Sequence, residues 1–563
     1  MILFCKMQNF TYIFLLFLSV QQIVAQEFTK RDSLQGGLPF ERTSYDILNY
    51  YLNIKVDVEN KSISGFNNII FEVKAQTPVI QLDLFENMQI DSITFFKYYE
   101  ESRTWTEEQF SKLTKDDNPT LEYTREHDAV FIEFPYRLEK GTKHMITFYY
   151  HGKPLEAKNA PWDGGFVWKE DSNGKPFVGV AVQGTGASLW YPCKDSQSDE
   201  PESAIINIEV PKGLVAVSNG RLVKQWDNKG SSNYIWKVNN PINNYNITLN
   251  IGDYVSMTEE YKNLDLSYYV LRENEEKAKK HFDDDVKPML DCFQDKFGTY
   301  PFMEDGYKLV ESPYLGMEHQ SAVAYGNQYK KGYLGNDISG SGVGMLFDFI
   351  IIHESAHEWF GNSITSKDIA DMWIHESFTT YAESVFVECQ WGYEKAQQYI
   401  NGQNRMVENR KPIVGQFGVN LKPKSSDMYY KGALMLNTIR HIINDDAAWW
   451  ELLKTFAMTY RHKIIEGKDV ISFFNRQSGL NLTPIFKQYL EYPNLPVLEI
   501  TQKKKNKVYA RWITDVENFE MPIYYGEKAT NISNNWTVLS NIKSVKDLNI
   551  NTDKTLCTVK KIN

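Results

Sequence analysis

The sequence predicts a multidomain α+β protein, and three observations carry that reading. Period-two alternation dominates from about Tyr45 to Tyr254. Helical periodicity takes over near Asn274, and after Pro496 the composition turns polar and β-like again. A chain of 563 residues suits three to five domains at roughly 100–200 residues each. The expected division is a leader over residues 1–25, an antiparallel β domain over 26–255, a mainly helical domain over 256–495 and a small β-sandwich-like domain over 496–563.

The leader rests on Phe10 to Val20, an apolar run preceded by Lys6 and followed by a small residue at Ala25. Eleven such residues reach about half of the ~20 that a membrane helix needs. A basic start, a short apolar centre and a small residue read as a secretory signal, so the protein is expected to be exported, with no membrane span once the leader is gone. In the β domain, Leu52, Ile54, Val56 and Val58 face one way. The pattern repeats at Ile80, Leu82 and Leu84, at Val178, Val180 and Val182, and at Ile206, Ile208 and Val210. Ser218-Asn219-Gly220 and Asn173-Gly174 supply turn chemistry between such runs.

Asn274 reads as an N-cap, with Glu275 and Glu276 suiting a first turn. Helices are expected from there to Phe297, then over 343–360, 372–391, 431–443, 447–461 and 484–490. The last 68 residues suffice for one small β sandwich. Lys and Arg number 61 against 72 Asp and Glu, a net charge of −11, which excludes the basic face of a nucleic-acid binder. Cys193, Cys292, Cys389 and Cys557 lie far apart with no CxxC pair, so neither a zinc ribbon nor a thioredoxin-like site is expected. In an exported protein they are compatible with disulfides or with buried thiols, and sequence does not pair them. Asn246-Ile-Thr248 and Asn535-Trp-Thr537 are glycosylation sequons.

Chemistry concentrates in His353-Glu354-Ser-Ala-His357, an H-E-x-x-H segment. Residues four apart share a helix face, so His353 and His357 can offer two imidazole nitrogens to one ion. The flanks (Leu346, Phe347, Phe349 to Ile352, Trp359, Phe360) make the helix apolar nearly all round. Two histidines and a carboxylate buried there without partners cost several kcal/mol, roughly, and a bound cation removes that cost. Three protein ligands plus a water is the pattern of a catalytic zinc. Glu376 follows His357 with eighteen residues between, about a turn and an antiparallel return, and is the expected third ligand. His375 competes but points roughly 100° away around the helix. A His₂Glu set suits zinc better than calcium or magnesium. Glu354, one residue beyond His353, is placed to serve as general base toward a water whose pKa the ion lowers to about 7. This much supports metal-dependent hydrolysis.

Three segments narrow the reading. The H-E-x-x-H segment with Glu376 in Trp373-Ile-His-Glu376-Ser-Phe378 resembles the gluzincin aminopeptidases of family M1. Leu315-Gly316-Met317-Glu318-His319 resembles their G-x-M-E-N exopeptidase motif, with one residue fewer between Gly and Met. Tyr429-Tyr430-Lys431-Gly432-Ala433 is similar to their Y-x-K-G-A segment. The resemblance implies a thermolysin-like helical catalytic domain, one zinc ion per chain and hydrolysis of N-terminal residues from peptides with a free N-terminus. By it, Glu318 would bind the substrate ammonium, with Gln183 assisting and Gly316, Met317 and His319 beside it. Tyr429 would donate to the tetrahedral oxyanion. His319, His375 and Ser377 depart from the usual Asn, Asn and Gly, so contacts around His319 are expected to differ and to respond to pH. Pro192-Cys193-Lys194-Asp195 interrupts the family's P-C-W-D-E-P stretch. Longer relatives carry a large C-terminal helical domain, and this chain is expected to be a short form without one. The competing readings are a thermolysin-like endopeptidase, which needs no ammonium anchor, and a non-catalytic peptide-binding protein on the same scaffold.

Overall fold

The strand runs read from alternation form the first half of the fold. The computed structural model describes residues 28–96, 119–421, 425–504, 507–525, 528–540 and 542–562; the expected leader at 1–25 lies outside them. Seven strands make one large sheet in the order Arg221–Asp227, Ser231–Val238, Ser203–Pro211, Tyr45–Asp57, Ser62–Val73, Lys143–Gly152, Met88–Phe96. Leu52, Ile54, Val56, Ile206, Ile208 and Val210 all turn into the core. The sheet is mixed rather than purely antiparallel, because Tyr45–Asp57 pairs in parallel with Ser203–Pro211, Asn49 opposite Ser203. The long chain segment between them, which builds several further strands, provides the crossover that a parallel pair requires. A four-stranded sheet packs against this layer and contains Pro176–Ala181, where Val178 and Val180 are buried. That strand delivers Gln183 just past its end.

The middle of the chain carries a sheet that alternation does not reveal. Tyr254–Tyr261, Leu264–Leu271, Tyr307–Glu311, Val323–Tyr325 and Gly316–Met317 form five strands in that order. The last three are short and buried on both faces, so their sequences show no period of two. This sheet holds the Glu318 loop. The expected helix from Asn274 to Phe297 is instead two, α1 (Glu275–Phe282) and α2 (Val286–Phe297). Asn274 does not cap α1: its side-chain amide donates to Glu311 at 2.7 Å. At the break, Asp285 accepts from Lys331 Nζ at 2.7 Å and from the Asp348 backbone at 2.8 Å.

Then follow α3 (Phe349–Ala356), α4 (Trp373–Trp391), α5 (Tyr393–Gly402), α6 (Tyr430–Ile443), α7 (Asp446–Thr459), α8 (Gly467–Ser478) and α9 (Thr483–Leu490). α5 and α8 are additions to the sequence reading. The signal for α8 is a capping box of Glu466 and Asp469. Cys292 on α2 and Cys389 at the end of α4 form a disulfide, whereas Cys193 and Cys557 are free thiols. The final residues form a four-stranded sheet and the hairpin Glu520–Tyr525 with Lys528–Ser533. Buried Trp512 ties the two together by donating to the Met521 carbonyl at 2.9 Å. Their core is continuous with that of the helices. Among the described residues, no helix is long and apolar enough to cross a membrane.

Candidate metal centre and cleft

The site is built on α3, whose start is fixed by Asp348. That carboxylate accepts from the Ile350 and Ile351 amides at 3.0 and 3.3 Å, two of the donors a helix leaves open at its first turn. Its other oxygen takes the Tyr325 hydroxyl at 2.8 Å and lies 2.7 Å from His281 Nε2. All eight residues of α3 are buried. Phe349, His353 and His357 recur every four residues along one face, with ring centroids 5.1 Å apart at each step, the first pair stacked and the second edge-on.

The chain breaks sharply after His357. Phe360 leaves helical geometry and Gly361 adopts φ +130°, open to glycine and hostile to a Cβ, which would come 3.1 Å from His357 Nδ1. This turn aims the Phe360 carbonyl at His357 Nδ1, 2.9 Å away. A carbonyl oxygen only accepts, so Nδ1 carries a proton and Nε2 is the nitrogen left to face a metal ion. His353 is locked in the same sense: its Nδ1 lies 2.7 Å from Glu383, whose other oxygen accepts from Tyr399 at 2.7 Å and Gln403 at 3.1 Å. Two imidazoles thus present Nε2 to one point.

Glu376, in the first turn of α4, completes the point. Its Oε2 lies 3.8 Å from His353 Nε2 and 3.5 Å from His357 Nε2, and the donor atoms of all three residues lie within 4.8 Å of one another. Two imidazoles and a carboxylate converging at that spacing fit one tetrahedral transition-metal ion. His375 is turned away, accepting the Ser366 amide on Nε2 at 2.8 Å and stacking on Tyr245. Of the two candidates, it is Glu376 that the structure brings to the imidazoles.

Around this point lies a cleft of about 400 Å³ lined by Gln183, Gly316, Met317, Glu318, Glu354 and Tyr429 together with the three candidate ligands. Burial raises the Glu354 carboxyl above its usual range, the facing imidazoles partly oppose this, and Glu318 adds to it. Burial disfavours charge on His357, but Glu318, Glu376 and Glu354 outweigh it and lift the ring to about 10. Three carboxylates beside two imidazoles raise the proton affinity of the site, a demand for positive charge that a divalent cation can meet instead. Gln183 Nε2 donates to Glu318 and lies 3.4 Å from Glu376 Oε1. The Tyr429 hydroxyl donates to Glu376 Oε1 at 3.2 Å, and burial beside Glu376 and Glu318 keeps that phenol protonated. Gly316 is needed for contact: a Cβ there would meet Glu354 Oε1 at 2.7 Å.

His319 departs from expectation. Its ring is buried away from the cleft wall, neither ring nitrogen has a hydrogen-bond partner among the described residues, and burial holds its pKa at about 3. The reading of a substrate-contacting, pH-responsive His319 is therefore corrected. The chain turns here so that Glu318 faces the cleft and His319 does not, while the Ser321 amide binds Glu358 at 2.9 Å. Asn362 holds the Glu318 carbonyl at 2.8 Å and itself accepts from Asn246 at 2.8 Å. The Asn246 sequon is thereby buried, whereas Asn535 is exposed. Lys431 of the Tyr429 segment reaches the Tyr492 and Pro493 carbonyls at 2.9 Å and plays no part in the cleft. Sequence reasoning missed Glu383, although it lies seven residues after Glu376 and so shares its face of α4. It also missed Phe349, Tyr333 and Tyr430 on the cleft wall.

Two family profiles match this chain. The one described as the peptidase family M1 domain covers residues 283–489, and that of the peptidase M1 N-terminal domain covers residues 45–245. The chain belongs to peptidase family M1. Aminopeptidase B of Mus musculus is 24% identical over 352 residues, 57% of this chain and 50% of that protein. Aminopeptidase N of Lactobacillus helveticus is 24% identical over 488 residues, 81% of this chain and 53% of that protein. The chain thus spans about half the length of these curated relatives. An M1 zinc metallopeptidase of Deinococcus radiodurans, solved with a Tyr-Ser-Ala substrate, shares the fold with a TM-score of 0.63 at 19% identity, over 81% of this chain and 96% of that one.

Outer partners that orient a ligating histidine commonly contribute about 10–100-fold to metal affinity. Glu383→Ala is expected to weaken retention of a divalent transition-metal ion by that factor with the fold intact. Competition with a chromogenic chelator measures it, and unchanged affinity would remove Glu383 from the site.

Proposed function

We propose that the protein is a zinc-dependent aminopeptidase that removes N-terminal residues from peptides. The observation that carries this reading is the Glu318 carboxylate, buried beside the metal point and hydrogen-bonded by Gln183. A carboxylate so placed anchors an ammonium group and fixes the cut one residue in. The thermolysin-like endopeptidase has no use for that anchor, and a non-catalytic peptide binder has none for Glu354 or Tyr429.

His353, His357 and Glu376 would hold the zinc ion. When bound, the ion supplies Lewis acidity, polarising the scissile carbonyl and lowering the pKa of water. Glu318 and Gln183 bind and orient the free amine. Glu354, with its pKa raised by burial toward neutrality, takes the proton of the attacking water on its carboxylate and delivers it to the departing amine. Tyr429 keeps its phenolic proton and donates it to the developing oxyanion, a contribution of about 2.7–4 kcal/mol for such donors. Gly316 leaves Glu354 the room to reach the reacting atoms.

Export is part of the proposal. It is supported by the Phe10 to Val20 run with its basic flank and by the Cys292–Cys389 disulfide, which suits an oxidising compartment. The domain limits near residues 255 and 495 are likewise our reading, supported by the extents of the two profiles.

Blocking the substrate amine is the decisive test. One peptide offered free and N-acetylated is expected to be cleaved only when free, and Glu318→Ala is expected to raise KM for the free form. Equal rates on both forms would make the protein an endopeptidase. Glu354→Gln is expected to lower kcat by about 10²–10⁴ while zinc stays near one per chain by elemental analysis; loss of zinc would move Glu354 into the metal's own ligand set.

A further inference from the structure

The cleft has two unlike ends, and the stripe on α3 orients them. Glu318, Glu354 and His357 bring their polar atoms within 4.8 Å of one another, so the amine anchor lies at the His357 end. Phe349 stacks on His353 from the other side, one helical turn farther from His357. Gly316 lies against Glu354 and Ile350, so its strand follows α3 back from Glu318 toward Phe349. A peptide held by its amine at Glu318 and cut at the metal therefore continues past His353 toward Phe349.

That end is walled by rings. Tyr333 meets Phe349 edge-on with centroids 5.5 Å apart. Tyr430 follows Tyr429, its ring centroid 6.2 Å away, and lines the same cleft as Tyr333. Phe349 is almost fully buried, whereas Tyr333 and Tyr430 keep part of their surface open to the cleft. Among the described residues lining the cleft, the charged or titratable groups other than tyrosines are the three carboxylates and two imidazoles of the metal and amine sites. Among the described residues, nothing charged on the wall at the Phe349 end stands ready to pair with a charged side chain, and burying a charge against rings is costly.

We infer that Phe349, Tyr333 and Tyr430 form a recess for the second residue of the peptide, and that it selects bulky apolar or aromatic side chains there. The inference rests on the aminopeptidase reading and deepens it: the scissile bond is chosen by the amine anchor, and among the bonds so chosen the leaving residue is graded by the recess. The rings offer an apolar side chain edge and face contacts as well as burial.

The test uses the zinc-loaded full chain and a series Ala-Xaa-amide with Xaa as Phe, Leu, Gly or Asp, read as released alanine. The expected kcat/KM for Phe exceeds that for Gly by about tenfold or more, the range open to an apolar pocket, with Leu between them and Asp below Gly. Tyr333→Ala is expected to bring the Phe-to-Gly ratio to within about threefold, and Tyr333→Phe to preserve it. A flat series from the unmodified protein, or a ratio untouched by Tyr333→Ala, overturns the recess. Release of alanine from none of the four overturns the aminopeptidase reading itself. The series on the unmodified protein decides the matter even if a variant fails to fold.

Discussion

The site depends on a tautomer lock. His353 and His357 have Nε2 free because each Nδ1 is committed elsewhere, to the Glu383 carboxylate and to the Phe360 carbonyl. The first lock needs α4 to run two turns past Glu376. The second needs a glycine at 361, since only there can the chain reverse fast enough to return a carbonyl to its own histidine. The α3–α4 packing and the buried turn between those helices keep both locks in register.

The same packing concentrates charge. Glu318, Glu354 and Glu376 enter one buried cleft from a loop and two helices, and neither the protein dielectric nor solvent relieves them. One imidazole takes up part of this excess as a raised proton affinity, so the cleft is arranged for a cation before one arrives. The N-terminal sheets are more than a platform. Gln183 comes from one of their strand ends to meet Glu318, and Asn246 reaches Asn362, which in turn holds the Glu318 backbone. The amine anchor is thus positioned by residues of both halves of the chain.

Much of this was legible in the order of residues, for physical reasons. Long half-buried strands write their alternation plainly, as Leu52, Ile54 and Val56 do. Two ligands on one helix must stand four apart. The spacing from His357 to Glu376 followed from the length of a turn and a return. The strands Tyr307–Glu311 and Gly316–Met317 were not legible, because burial on both faces erases the alternation. His319 was misread because adjacency to Glu318 says nothing about which side of a loop a ring takes. Asn274 was misread as a cap because a stronger partner, Glu311, is distant in sequence. Glu383 left a faint trace, a second carboxylate two turns from Glu376 on a buried helix.

The site depends on three side chains sharing one ion, and X-ray absorption at the zinc edge of the stoichiometrically loaded protein tests that most directly. The predicted spectrum has two imidazole nitrogens at about 2.0–2.1 Å and oxygen at about 2.0–2.2 Å, with no sulfur, and the imidazole signal halves on substitution of His353 or of His357. A zinc shell with fewer than two imidazoles, or one that survives loss of Glu376 unchanged, would contradict it.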